Sequence, residues 1–103
     1  MIVAFSVAPT IVESPTAEMS EAVAAAVKVV RQSGLPNETN AMFTLLEGEW
    51  DEVFAVIKKA TDAVRAVSPR TGLVIKADIR EGVTGQLTSK VEAVERHLKN
   101  GEV

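Results

Sequence analysis

An α+β sandwich is the fold class this sequence predicts: a four-stranded antiparallel sheet with two helices on one face, plus an extra C-terminal helix. Three observations predict it. Extended and helical patterns follow one another in the order β-α-β-β-α-β-α. Two long amphipathic stripes flank a pair of short extended segments. The chain has 103 residues, 47% of them hydrophobic, enough for a single domain over 1–103 with one core and not two.

The elements follow in order. Ile2 to Pro9 is rich in β-formers, ends at a proline, and is read as the first strand. Ser14 or Thr16 is a candidate N-cap and Pro15 a first-turn proline for the helix that follows. Met19, Val23, Val27 and Val30 share one helical face, and Ser33-Gly34 closes that helix. Asn37–Ala41 and Met42–Glu47 are short and adjacent, which predicts a tight hairpin. Trp50, Val53, Phe54, Ile57, Ala60, Val64 and Val67 form the second helical stripe. Its acidic first turn (Glu49, Asp51, Glu52) and basic later turns (Lys58, Lys59, Arg65) suit the helix dipole. Leu73–Arg80 alternates as a fourth strand. After the REGVTG loop, the pattern Ser89-Lys90-Val91-Glu92 predicts a capping box opening a third helix along Val91, Val94 and Leu98. A βαββαβ series is the split-βαβ, ferredoxin-like plan.

That plan leaves one sheet face bare. The first strand is apolar on both sides, Ile2, Ala4 and Ala8 against Val3, Phe5 and Val7, whereas a solvated face alternates to polar residues. The second face is therefore expected to pack on another subunit or on the last helix, with a ligand held at the seam.

Bulk chemistry narrows the function. A net charge of −3 with interspersed signs argues against a nucleic-acid partner, which requires a basic stripe. The chain has no cysteine, which removes thiolate chemistry and cysteine zinc sites; with His97 as the single histidine, no metal site is expected. The apolar N-terminus lacks a basic n-region, and no segment approaches the roughly 20 apolar residues of a membrane span, so a cytoplasmic protein with no membrane partner is expected. No nucleophile is recognisably paired with a base, and no glycine-rich phosphate loop is present, so catalysis has no positive support.

Glu47, at the end of a strand, reads either as a solvated carboxylate or as a partly buried acceptor for a ligand amine or cation. Glu49, Asp51 and Glu52 read as helix-start acids, and Trp50 as an anchor of the helical stripe. Lys76, Asp78 and Arg80 share one face of the last strand, either as a solvated edge or as a polar wall of the seam pocket. Asn37, Thr39, Asn40 and Thr44 cluster around the hairpin, with Ser6 midway along the first strand. Uncharged groups of this kind orient heteroaromatic rings in apolar pockets.

The segments MIVAFSVAP, SEAV, SGL, TLLEGEWDEV, ADIRE and KVEAVERHL, in this order and spanning the chain, resemble the small thiamine-binding proteins, ferredoxin-like domains of about this size. The resemblance implies a homo-oligomer, homodimer or homotetramer, whose subunits pair through their sheets. It also implies binding, without catalysis, of thiamine or its hydroxymethylpyrimidine portion as ligand, with no other cofactor. Where many relatives carry Met-Gly-Thr this chain has Met42-Phe43-Thr44, and the phenylalanine either stacks on the ligand or fills part of its pocket. The expected ligand contacts are Ser6, Asn40, Thr44, Glu47 and Asp78, with Phe43 as the stacking surface. The competing expectation is a structural or regulatory oligomerisation module with no small ligand. A small ferredoxin-like enzyme is opposed by the isolated His97.

Overall fold

The computed structural model describes residues 1–10 and 17–101. Its elements are β1 (Ile2–Pro9), α1 (Ala17–Arg31), β2 (Asn37–Thr39), β3 (Thr44–Glu47), α2 (Trp50–Arg65), β4 (Thr71–Asp78) and α3 (Gln86–Lys99). The predicted order is the observed one. The start signals at Ser14, Pro15 and Thr16, and the Met19 side chain, lie outside the described residues.

The sheet runs β2-β3-β1-β4 and every neighbouring pair is antiparallel. β1 is its centre. It pairs with β4 along its whole length, from Ile2↔Asp78 to Pro9↔Thr71, but with β3 only from Ile2↔Glu47 to Phe5↔Thr44. Alternation along β1 sends Val3, Phe5 and Val7 into the core and leaves Ile2, Ala4, Ser6 and Ala8 half-buried on the other face. Leu46 of β3 and Val53, Ile57, Ala60 and Val64 of α2 complete the core from the helix side.

α1 buries Ala22, Ala26 and Val30, while Val23 is exposed and Val27 half-buried. The face expected from valine spacing is thus rotated. Ala22 and Ala26 are buried with Val30, and their small side chains let the α1 backbone approach its neighbours closely, while Val23 and Val27 lie to one side. Trp50 and Val67 also leave the expected stripe of α2, both more than half exposed. Trp50 opens its helix and lies against Phe54 at a ring separation of 4.7 Å.

The strands of the hairpin are shorter than expected because Asn40 builds the turn. Its Oδ1 accepts the Met42 and Phe43 amides at 2.9 and 2.8 Å, and its own amide donates to the Phe43 carbonyl at 2.9 Å. β4 begins and ends two residues earlier than its alternation predicts, leaving Ile79 and Arg80 beyond the strand.

α3 begins at Gln86, not at Ser89. Ser89 already sits in the first turn, its amide donating to the Gly85 carbonyl, and Gly85 precedes the helix at φ +68°. The reciprocal capping box lies instead on α2, where Glu49 and Glu52 each accept from the other's backbone amide. α3 does not follow a local serine because its first amide is capped from a distant strand, as described below. Among the described residues, no helix is long and apolar enough to cross a membrane.

Candidate functional site

Glu47 ends β3 and is 5% exposed. Its oxygens accept the Gln86 amide at 3.0 and 2.9 Å, so one carboxylate closes the first turn of α3 from across the fold. The solvated reading of Glu47 is corrected: α3 packs over it and takes its lone pairs. Gly48 next to it is tightly enclosed, since a Cβ there would lie 3.2 Å from Val53 Cγ2. Around this junction is a cleft of about 580 Å³ that also carries Glu38, Glu49 and Glu52. Glu49 and Glu52 are already engaged in the start of α2.

Asp78 lies in the same cross-strand row, since Ile2 of β1 is in register with Glu47 on one side and Asp78 on the other. The Asp78 carboxylate pairs with Lys90 of α3, both side chains being half-exposed. The Lys90 hydrogen bond and charge, assisted by Arg80, hold the Asp78 carboxyl below its usual value of 3.8. A carboxylate held below its unfolded value adds stability above that value, and the gain is lost as pH falls through the folded one. Asp78→Asn is therefore expected to lower the melting temperature slightly at neutral pH and to leave it unchanged once the pH is well below 3.8. Melting curves of both forms across this range check it.

The other four candidates gather elsewhere. Ser6, Asn40, Phe43 and Thr44 surround a cleft of about 220 Å³ at the end of the sheet, walled by Phe5 and by Val23, Ala26 and Val27 of α1. Its origin is the early end of β3. Pairing with β1 stops at Phe5↔Thr44, the chain turns away through Asn40–Phe43, and β1 continues past the gap. Thr44, 8% exposed, is on the helix-facing side of the sheet with Leu46; Leu45 and Glu47 are on the other. Three residues along β3 also separate Thr44 from Glu47 by about 10 Å.

The six candidates thus divide into a cleft of four and a pair that secures α3. The apolar wall from α1 does not follow from the sequence, where Val23 and Val27 share one helical face with Val30. Among the described residues, no group of three or more His, Cys, Asp or Glu side chains is placed to hold a metal ion.

A family profile described as thiamine-binding protein matches residues 3–95. A UPF0045 protein of Mycobacterium bovis is 50% identical over 103 residues, covering 99% of this chain and 98% of its own. A hypothetical protein of Methanocaldococcus jannaschii has a crystal structure that superposes with a TM-score of 0.79 at 29% identity, over 91% of this chain and 94% of the other. A domain of unknown function from Bacillus cereus superposes at 0.72 with 33% identity, over 85% of each chain. A candidate thiamine biosynthesis/salvage protein of Thermotoga maritima, 20% identical, shares the fold at 0.72 over 88% of this chain and 96% of its own.

Proposed function

We propose, on the premise that this chain belongs to the thiamine-binding protein family, that it binds thiamine or its hydroxymethylpyrimidine portion without catalysis, in the cleft at the end of β3. The supporting observation is the grouping of Ser6, Asn40, Phe43 and Thr44 against an apolar wall. Few polar groups on a mostly apolar lining suit a heteroaromatic ring, with hydroxyl and amide groups to meet its nitrogens and Phe43 available to stack. Asn40 spends its carbonyl oxygen on the turn, which leaves its NH₂ as the donor it offers a ring nitrogen. Glu47 and Asp78 act indirectly in this reading, by holding α3.

The active form is a homo-oligomer. β4 is an edge strand whose Leu73, Val74 and Ile75 are exposed, and α3 exposes Val91, Val94 and Leu98. Apolar surface on this scale favours association. The same surface is what favours the second reading, an oligomerisation module with no ligand.

Isothermal titration separates the two. Thiamine, its phosphates and hydroxymethylpyrimidine are titrated into the full chain, with thermal shift in parallel. Heat and stabilisation are expected from at least one of them. Thr44→Val is expected to weaken that binding about tenfold, the worth of one hydrogen bond to a buried polar ring atom. No heat and no stabilisation at millimolar ligand sinks the binding reading and leaves the oligomerisation module.

A further inference from the structure

We infer that the cleft at the end of β3 selects an uncharged single ring, the aminopyrimidine alcohol, over ligands that carry a permanent cation, and that Phe43 sets its size limit. The inference rests on the binding reading above and narrows its ligand class.

Charge comes first. Among the described residues, the groups that line this cleft include no acid and no base; the polar side chains on its side of the sheet and its turn are Thr39, Asn40 and Thr44, while the Ser6 side chain alternates to the other face. A neutral ring can exchange its water for those hydrogen bonds. A thiazolium gains less, because the part of it that enters the cleft loses water without an anionic partner to offset the cost. The nearest carboxylate along β3 is Glu47, and it is committed twice over. It extends to the opposite face of the sheet from Thr44, and its oxygens cap the first amide of α3. The glutamates collected around it therefore serve the other cleft. Phe43 offers a ring face to a cation, but such contacts at partly exposed sites are weak, and phenylalanine is a poorer partner than tryptophan.

Volume comes second. About 220 Å³ is below the roughly 300–1,000 Å³ of sites that enclose drug-sized ligands. A single ring matches that space better than two linked rings do, since the second ring would extend out past the hairpin. Phe43 is the largest side chain on the hairpin side, and it is half-buried in a turn whose shape Asn40 fixes through the backbone. Shortening it enlarges the cleft without dismantling the turn.

The test titrates the full chain with hydroxymethylpyrimidine and with thiamine at mildly alkaline pH, where the pyrimidine is neutral. The wild-type chain is expected to bind the alcohol about tenfold or more tightly than thiamine. Phe43→Ala, which adds space, and Met42→Glu, which adds a carboxylate at a lining position 74% exposed, are each expected to narrow that ratio severalfold. Equal or tighter wild-type binding of thiamine overturns the selectivity while leaving the binding reading intact. A ratio that neither variant moves overturns the roles given to size and charge. No binding of either compound to a cooperatively folded chain overturns both readings together.

Discussion

Phe5→Ala is expected to destabilise the chain by about 3–5 kcal/mol, the usual cost of truncating a fully buried phenylalanine. Phe5 is 2% exposed and sits at the centre of the sheet, in register with Thr44 on one side and Ile75 on the other. Aromatic residues make up only 4% of the chain, so the core around Phe5 is valine, alanine, isoleucine and leucine. Those short side chains cannot swing in to fill the space. A domain of this size has about 5–15 kcal/mol in total, so the variant is left near the edge of folding. Urea titration reads the effect as a lower midpoint with an unchanged slope. A loss below about 1 kcal/mol would place Phe5 outside the structural core.

Glu47→Ala is expected to cost about 1–3 kcal/mol, because the Gln86 amide at the start of α3 loses a buried acceptor. Glu47→Gln keeps one acceptor oxygen and is expected to lose less. In both variants α3 should loosen first, visible as lost helical signal in circular dichroism before the main unfolding transition. Ligand affinity should change little, since Glu47 lies across the sheet from the four-residue cleft. If Glu47→Ala abolished binding without altering stability, the carboxylate would be a ligand contact and its role in α3 secondary.

The fold was legible in the sequence because most of its elements carry clean periodicity. The extended, β-rich run Ile2–Pro9 marks a strand although both its faces are apolar, and the stripe Val53, Ile57, Ala60, Val64 points to one helix face. α1 was harder, since alanine and valine are interspersed all round it, and packing buried Ala22 and Ala26 where hydropathy favours Val23 and Val27. The start of α3 was misplaced for a different reason. A serine followed by a glutamate three residues on resembles a cap, but the group that caps this helix lies 39 residues away on β3. Such a long-range hydrogen bond leaves no periodic trace. The polar side chains of the cleft were legible as a cluster around the hairpin, together with Ser6. Their separation from Glu47 was not, because it depends on where pairing between β1 and β3 stops.

The acids around Trp50 are sorted by the same geometry. Glu49 and Glu52 hold the first turn of α2, and Trp50 rests outside the core on Phe54. Glu47, one glycine away from them, belongs to a different helix.

The pairing of β1 with β4 has a consequence for how the protein comes into being. Its longest ladder joins the second residue of the chain to Asp78, with nearly all other elements between them. Contacts so distant in sequence are slow to form, whereas the β2–β3 hairpin and α2 are local and can be made early. During synthesis β1 can meet β3 first, over Ile2–Phe5, but its far half has no partner until β4 has emerged, and it carries apolar residues on both faces throughout that interval. Among the described residues, the cleft at the end of β3 is lined only by those between Phe5 and Thr44, so all of its walls precede β4 in the chain. A ligand that fits it would stabilise the folded arrangement of β1, α1 and the hairpin.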